Sequence, residues 1–331
     1  MGMGRPLSLA GDGAIHAPTL EADLAGRPGA DGALTGIVMA IAAAAAPLAQ
    51  RLALAALPGD PAAPMGTNET GDAQKALDIA AHERMIEALG TASVARVLSE
   101  EAAQPIRLSE DGFYDVAIDP VDGSGSIGIG APLGLLFAVF PAGGTFLRPG
   151  REAVAAGYVS FGHSTDLGVT LGDGVTIATL EPGAGTFRVT HPRVTTPAAT
   201  RMIAFNASNR RHFSPALRRY IDDALAGADG PRGEDVNMRW IAAAVGDLHR
   251  ILLTGGVFLY PADARPRYAK GHIRLLYEAV PIALLIEQAG GAATDGTARI
   301  LDQFPSDHHQ KTPLVFGAAD EVARIATYLS A

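Results

Sequence analysis

Cysteine is absent from the 331-residue chain. Disulfides, a thiol nucleophile and redox control through a regulatory disulfide are therefore excluded. Basic residues are outnumbered, with 26 lysines and arginines against 35 aspartates and glutamates and a formal net charge of −9 at pH 7. This balance argues against nucleic acid as a partner, and no basic tract suggests a membrane surface. If so acidic a chain binds an anionic ligand, metal ions and a few arginines must concentrate positive charge locally.

Long apolar runs and an export signal are also lacking. Residues 34–57 are rich in alanine and predict a helix, but Pro47 and the Gln50-Arg51 pair interrupt a run already shorter than the ~20 apolar residues that span a bilayer. Residues 1–24 contain no apolar stretch after a basic start, and residues 1–33 predict a mobile N-terminal arm. We therefore expect a globular cytoplasmic protein without a membrane partner, and its 48% hydrophobic composition can supply a sizeable core.

The most informative stretch is Asp119-Pro-Val-Asp122-Gly-Ser-Gly-Ser126. The residues before it, 113–118, alternate between apolar and polar and predict a strand that Pro120 should end. The glycines and serines that follow leave the backbone free to turn, so that several N–H groups can face one anion. Two carboxylates beside such a turn suit the task of holding Mg²⁺ against a phosphoryl group. For a bare Asp-x-x-Asp-Gly sequence, the alternative is an ordinary polar turn.

Acidic residues follow two further predicted strands. Residues 93–99 run directly into Glu100-Glu101, and residues 273–277 end at Glu278. A charge pair after a strand is usually only solvated loop, but three apolar runs that each deliver carboxylates favour a common site. Together with the segment at 68–72 they form an oxygen-only ligand set, which points to Mg²⁺ or Mn²⁺ rather than zinc.

The remaining pattern predicts an α/β protein in two subdomains. Strands and Gly-rich turns predominate from 94 to 194, and strands alternate with helices after a Pro/Thr-rich segment at 191–197. We expect a metal-binding N-terminal subdomain at 34–197 and a C-terminal α/β subdomain at 198–331. The other predicted helices are 73–89, 215–225, 238–253, 280–290 and 320–329, and the later strands are 202–205, 257–260, 273–277 and 314–317.

Several motifs resemble those of class I fructose-1,6-bisphosphatases. They follow the family order from about Thr35 to the C-terminus, and the stretch 231–240 followed by His249-Arg250 is typical of bacterial members. The resemblance implies a five-layer αβαβα sugar phosphatase fold and a homotetramer. It also implies Mg²⁺-dependent hydrolysis of the 1-phosphate of fructose-1,6-bisphosphate, giving fructose 6-phosphate in gluconeogenesis or the Calvin cycle. The other matching motifs are 71–78, 99–101, 119–124, 255–261 and 273–278.

The resemblance also assigns roles to individual residues. Two or three Mg²⁺ ions, replaceable by Mn²⁺, would be held by Glu100, Glu101, Asp119, the Val121 carbonyl, Asp122 and Glu278. The proton of the attacking water would pass to Glu101, helped by Asp72 or Asp78. The 1-phosphate would lie on the metals and on the N–H groups of Gly123 and Ser124. The sugar and the 6-phosphate would contact Asn206, Arg239, Tyr260, Lys270, His272 and Arg274. In the family, the arginine that matches Arg239 reaches across a subunit interface.

Some positions depart from the family pattern. The loop at 125–128 lacks the serine, asparagine and acid that are usual there, and Val280 replaces a polar residue. His272 stands where a phosphate-binding lysine or arginine is usual, and nearby Lys270 and Arg267 are alternative sources of that charge. These changes leave the metal ligands intact but bear on substrate preference and turnover.

The site in which animal members bind AMP is also altered. Phe113 and Pro141 stand where the family has lysine and arginine, although Thr35 and Tyr114 match. Weak or absent AMP inhibition is therefore expected.

Three alternatives stay open. The chain could be a sedoheptulose-1,7-bisphosphatase, or a dual enzyme, with the same metal ligands and a different sugar pocket. An inositol monophosphatase shares Asp-Pro-x-Asp-Gly, although the motifs from 237 to 260 belong to the bisphosphatases. A catalytically weak sugar-phosphate-binding paralogue would account for the altered 125–128 loop.

Overall fold

The structure is a computed structural model that describes residues 15–27, 31–67 and 73–330. Within those ranges the helices are α1 (Leu20–Ala25), α2 (Gly32–Ala53), α3 (Ala76–Leu89), α4 (Pro215–Leu225), α5 (Ala244–Thr254), α6 (Val280–Gln288) and α7 (Ala319–Ser330). Helix α4 illustrates how local sequence sets an end. Ser214 Oγ accepts the N–H of Leu217 at 3.2 Å, and Pro215 takes the first helical position, where a backbone N–H is not needed.

The described strands form two large sheets and two short ribbons. In chain order they are β1 (Pro64–Thr67), β2 (Ala73–Lys75), β3 (Val94–Ser99), β4 (Ile106–Arg107), β5 (Tyr114–Asp122), β6 (Leu133–Pro141), β7 (Ala155–Phe161), β8 (Thr165–Thr170), β9 (Val175–Glu181), β10 (Thr186–Val194), β11 (Met202–Ala204), β12 (Asn237–Met238), β13 (Val257–Tyr260), β14 (Ile273–Arg274), β15 (Ala292–Thr294), β16 (Lys311–Thr312) and β17 (Leu314–Gly317). The first sheet has the order β10-β9-β8-β7-β6-β5-β3-β4, and the second has the order β12-β11-β13-β17-β15. Strand pairs β1-β2 and β14-β16 form the ribbons.

The helices and sheets stack in five layers. Helices α1, α2 and α3 cover one face of the first sheet, α5 and α6 lie between the two sheets, and α4 and α7 cover the outer face of the second sheet. Strand β6 shows why both faces of the first sheet must be apolar. Leu135 and Phe137 pack in the cluster under α2 and α3, whereas Leu136 and Phe140 pack in the cluster with α5 and α6. The predicted αβαβα arrangement is confirmed.

The N-terminal segment differs from the predicted mobile arm wherever it is described. Helix α1 begins after Thr19, whose side chain accepts the N–H of Ala22, and its Leu20 and Leu24 are fully buried. The Val189 N–H of β10 donates to the carbonyl of Pro18 at 2.9 Å. Residues 15–27 are therefore part of the packed fold, because two leucines one helical turn apart give α1 an apolar face. Residues 1–14 and 28–30 of the predicted arm lie outside the described residues.

The sequence predicts that Pro120 ends strand β5, but the structure does not show this. The strand continues to Asp122. Pairing with β3 reaches Ile118, and the register against β6 shifts between Asp119 and Asp122. A proline lacks only the backbone N–H, so it is tolerated where the ladder is already interrupted.

Other element boundaries were also predicted wrongly. The helix predicted at 34–57 ends at Ala53, and the helix predicted at 73–89 starts at Ala76, after strand β2. The strand predicted at 273–277 stops at Arg274, and a π-helical turn, Leu275–Ala279, continues into α6. Glu278 therefore lies on a helical turn and not at a strand end. The helix predicted at 238–253 starts only at Ala244, because residues 237–238 pair with β11.

Helix α2 is long and apolar enough to cross a membrane, judged by length and composition alone. Its Ile37, Val38 and Ile41 are fully buried against the rest of the chain, and Pro47 lies inside the helix without ending it. The most apolar part of the helix is 56% buried. A core helix passes the same length and composition test, so this feature is weak evidence for a membrane span.

Candidate active site

Three predicted metal ligands meet at the end of β5. Asp119, Asp122 and Glu278 each place one carboxylate oxygen within 4.8 Å of the others, and all three residues are buried. Glu278 reaches this point from the π-helical turn before α6. Glu100, which directly follows β3, lines the same cavity. Two strands and one helical turn, distant in sequence, thus deliver four carboxylates to one place.

Backbone donors hold these carboxylates in position. The N–H of Val121 donates to Asp119 Oδ1 at 2.9 Å, and the N–H of Val245, in the first turn of α5, donates to Asp122 Oδ2 at 2.8 Å. The N–H of Arg274 donates to Glu278 Oε2. Each carboxylate keeps at least one more lone pair for another ligand.

Burial makes these groups difficult to ionise. Loss of hydration raises the pKa of Glu100 to about 7. Hydrogen bonding with Asp119 opposes this rise in pKa, and the nearby charge of Glu101 adds to it. Burial likewise raises the pKa of Asp122 to about 6, although the Val245 N–H opposes the shift. The pKa values of Asp119 and Glu278 lie well above their usual range, because both are buried and both face Glu100. A bound cation would relieve this repulsion, and an all-oxygen donor set fits Mg²⁺ or Mn²⁺.

A cavity of about 420 Å³ opens beside the carboxylates. Arg274 and Lys311 add positive charge to a lining that also holds the four carboxylates. The residues predicted for the site that line it are Glu100, Asp119, Val121, Asp122, Gly123, Ser124, Tyr260, His272, Arg274 and Glu278. Carboxylates that can hold metal ions and cations that can pair with a phosphate therefore line one cavity, and the size of this cavity suits a small ligand.

The turn after Asp122 requires glycine at its first position. Gly123 has φ of 80°, in the left-handed region, and a Cβ added there would lie 2.6 Å from the Ala243 Cβ. A short 3₁₀ turn, Ser124–Ser126, follows. The Lys75 Nζ donates to the Ser124 carbonyl at 2.6 Å, which ties this turn to the start of α3.

The predicted proton acceptors lie beside the cavity. Glu101 is half-buried and accepts the Gln74 Nε2–H at 2.6 Å. Asp78 is buried in the first turn of α3, where its Oδ2 accepts the Lys75 N–H at 2.8 Å. Burial, with a smaller contribution from Glu101, raises the pKa of Asp78 to about 6. Neither residue belongs to the cavity lining that the described residues form. Asp72 lies outside the described residues.

Three predicted sugar-binding residues are also absent from that lining. Asn206 follows β11, and its Oδ1 accepts the Ser208 N–H at 3.1 Å. Arg239 is exposed and donates to the Met238 carbonyl at 3.2 Å, and Lys270 is exposed as well. The described part of the chain therefore brings the predicted metal ligands together more completely than the predicted sugar-binding residues.

His272 lies in the cavity wall between two aromatic rings. Its ring centroid is 5.1 Å from that of Tyr260 and 5.4 Å from that of Tyr268. This packing fixes the position of the imidazole at the cavity.

Lys311 and Trp240 are among the lining residues that sequence reasoning missed. Lys311 lies on the two-residue strand β16, which gives no periodic signal of its own. Trp240 belongs to a recognised motif but was given no role, and its indole ring stacks on Phe258 with the centroids 5.3 Å apart. The pairing of β16 with β14, which carries Arg274, could have pointed to Lys311, but a sequence alone does not show that pairing.

Comparisons with known proteins agree with this architecture. Residues 20–192 match the family described as fructose-1-6-bisphosphatase, N-terminal domain, and residues 196–330 match its C-terminal domain. The class 1 fructose-1,6-bisphosphatase of Brucella anthropi is 48% identical over 331 residues, covering 98% of this chain and 97% of that protein. The Brucella suis protein of the same name is 48% identical over 329 residues, with the same coverage of both chains.

Solved structures show the same similarity in three dimensions. Leishmania major fructose-1,6-bisphosphatase in its holo form superposes with a TM-score of 0.89 and 31% identity, covering 96% of this chain and 100% of that one. The T-state structure of the same enzyme gives a TM-score of 0.82 at 31% identity, with 95% and 99% of the two chains covered. Because sequence and fold both match from end to end, the chain belongs to the class 1 fructose-1,6-bisphosphatase family.

Proposed function

We propose that the chain hydrolyses the 1-phosphate of fructose-1,6-bisphosphate in a reaction that requires Mg²⁺. The observation that carries this proposal is the group of buried carboxylates, Asp119, Asp122 and Glu278, within 4.8 Å of one another beside a cavity that also contains Arg274. Buried carboxylates of this kind need a cation, and a cation held there can receive a phosphoryl group. The names of the Brucella and Leishmania relatives supply the sugar.

Two or three divalent ions are the proposed cofactors, with Mn²⁺ able to replace Mg²⁺. When bound, these ions supply positive charge that neutralises the phosphoryl oxygens. The proposed ligands are Glu100, Glu101, Asp119, the Val121 carbonyl, Asp122 and Glu278.

The chain's own residues position the reaction and move its proton. The oxygen of a water molecule forms a bond to phosphorus while the bond between phosphorus and the C1 oxygen breaks, and the C1 oxygen takes up a proton from solvent and leaves as the hydroxyl of fructose 6-phosphate. The proton of that water passes to Glu101, whose carboxylate is oriented by Gln74. Asp78, close enough to Glu101 for the two charges to interact, is proposed to assist. The N–H groups of Gly123 and Ser124 are proposed to hold the 1-phosphate.

The rest of the substrate is proposed to extend toward the second sheet. The residues proposed for the sugar and the 6-phosphate are Asn206, Arg239, Tyr260, Lys270, His272 and Arg274. Arg239 is exposed on the described subunit, which is compatible with a role in the site of a neighbouring subunit. We therefore propose a homotetramer, located in the cytoplasm. Each chain would have a metal-binding subdomain at 34–197 and a sugar-binding subdomain at 198–331, and Glu278 of the second subdomain would complete the metal site of the first.

Phosphate release tests this function directly. Purified protein should release phosphate from fructose-1,6-bisphosphate with Mg²⁺, and Asp119→Asn should reduce the rate by at least ~10²-fold. Asp302→Asn, an exposed aspartate outside the cavity lining, is the matched control and should retain the wild-type rate. Sedoheptulose-1,7-bisphosphate is assayed in parallel. Release from the seven-carbon sugar alone would overturn the proposed substrate, and release from neither would overturn the proposed enzyme.

A further inference from the structure

The cavity contains a lysine that the proposed function does not use. The chain has three lysines, Lys75, Lys270 and Lys311. Lys75 donates to the Ser124 carbonyl, and Lys270 is exposed and outside the cavity lining of the described residues. Lys311 lines the cavity together with the carboxylates and Arg274. It is therefore the lysine placed to meet a ligand there.

The strand pairing directs Lys311 toward the cavity. Strands β14 and β16 are antiparallel, and Arg274 lies directly opposite Lys311. Residues directly opposite in an antiparallel pair extend their side chains from the same face of the ribbon. Because Arg274 also lines the cavity, the ribbon presents two cations on one face.

Like charges directly opposite each other destabilise a strand pair unless an anion lies between or beside them. No hydrogen bond or ion pair links the Lys311 ammonium to any residue within 15–27, 31–67 or 73–330. A half-buried lysine without a carboxylate partner, next to an arginine in a cavity, is suited to a phosphate.

The other candidates for the charge that His272 lacks are located elsewhere. Arg267 is exposed, and its guanidinium lies over the Tyr268 ring at 4.9 Å from the centroid. Lys270 is also exposed. Neither residue lines the cavity that the described residues form, whereas Lys311 does.

We propose that Lys311 is a substrate-binding residue whose ammonium pairs with a phosphoryl group of the sugar bisphosphate. The inference rests on the proposed function for its substrate class. Its basis in the structure is the position of Lys311 in the cavity wall, directly opposite Arg274 and without a protein partner among the described residues.

Binding measured without metal separates this role from catalysis. Trp240, the only tryptophan of the chain, lines the cavity, so its fluorescence reports ligand binding there. Fructose 6-phosphate and fructose 1-phosphate are titrated separately in excess EDTA. Lys311→Met should weaken at least one of them by about 10- to 100-fold, the range for losing a charge-assisted hydrogen bond. The ligand that is weakened identifies which phosphate Lys311 contacts.

Steady-state kinetics on fructose-1,6-bisphosphate with Mg²⁺ provide the second measurement. Lys311→Met should raise KM by a similar factor and change kcat by less than about threefold, and Lys311→Arg should restore most of the affinity. Arg107→Met, which removes an exposed charge outside the cavity lining, is the matched control and should behave as wild type.

Wild-type affinity and KM in Lys311→Met would overturn the role of Lys311 and leave the proposed enzyme intact. Failure of the wild type to hydrolyse fructose-1,6-bisphosphate would instead overturn the proposed function, and the titrations in EDTA would still test Lys311. Failure of the wild type to bind either monophosphate in EDTA would overturn the role of Lys311, because that role requires a phosphate to bind without metal, whereas hydrolysis with Mg²⁺ alone decides the proposed function.

Discussion

Replacing Asp119 with asparagine tests whether the carboxylate cluster opposes folding when no metal is bound. Burial raises the pKa of Glu100 from 4.5 to about 7 and that of Asp122 from 3.8 to about 6. The unfolded chain releases these protons at lower pH than the folded chain does. The free energy of unfolding should therefore fall as pH rises from about 4 to about 7, the window between the unfolded and folded values. At 1.36 kcal/mol per pKa unit, each of these two groups opposes folding by about 3 kcal/mol above that window.

Asparagine at 119 removes one charge from this repulsion and keeps the shape of the side chain. In excess EDTA at about pH 7.5, we expect Asp119→Asn to raise the free energy of unfolding by about 1–3 kcal/mol, and this gain should shrink toward pH 5 as carboxyls are protonated. Mg²⁺ at about 100-fold above its Kd should add ~3 kcal/mol to the wild type and much less to the variant. The order of the two stabilities should therefore reverse between EDTA and Mg²⁺.

Asp115→Asn is the matched control, because it makes the same substitution on the same buried strand. Asp115 is fully buried but is surrounded by cations, with Arg96 bonded to both of its oxygens and Arg148 Nη2 at 3.1 Å. This variant should lose about 2–3 kcal/mol in EDTA and in Mg²⁺ alike. Urea unfolding followed by circular dichroism measures all three proteins. If Asp119→Asn is less stable than the wild type in EDTA, the repulsion argument is wrong.

Three further outcomes are expected. Phosphate release should stop in excess EDTA, return with Mg²⁺ or Mn²⁺ and be inhibited by Li⁺; activity that persists in EDTA would contradict the metal mechanism. Glu101→Gln should lower kcat by at least ~10²-fold in steady-state assays, whereas a loss below about tenfold would remove Glu101 as the proton acceptor. AMP should inhibit weakly, because Phe113 and Pro141 offer no cation and the Asp31 carboxylate accepts the Tyr114 hydroxyl. Half-inhibition at micromolar AMP in the same assay would show another phosphate-binding group.

Elements with strong local signals were predicted to the residue. The helix at 215–225 and the strands at 257–260 and 314–317 have the predicted bounds. Ser214 and Pro215 determine the start of α4 through their own side chains, and such capping depends on neighbours in sequence. The carboxylates at 119, 122 and 278 were recognisable for the same reason, because each stands at the end of an apolar run.

Features that depend on pairing between distant segments were not predicted. The carboxylate of Glu278 reaches Asp119 from a π-helical turn, where an apolar run had suggested a strand. The position of Lys311 at the cavity depends on its pairing opposite Arg274, which the sequence does not show. The N-terminal residues 15–27 contain few apolar side chains, and their contacts with α2 and β10 show that Leu20 and Leu24 belong to the core. These errors have one cause, since local pattern does not determine which distant segment a residue will meet.

The charges of the cavity make the affinities for metal and for sugar phosphate depend on each other. Four carboxylates in the lining would repel a phosphate dianion. Arg274 already donates its backbone N–H to Glu278 and its guanidinium to the His309 carbonyl. The affinity for a phosphate beside the carboxylates should therefore rise steeply with divalent cation concentration. A phosphate remote from the carboxylates depends instead on cations of the chain, among which Lys311 has no protein partner within the described residues. An overall charge of −9 is compatible with an anionic substrate on this basis, because the positive charge is required only inside the cavity.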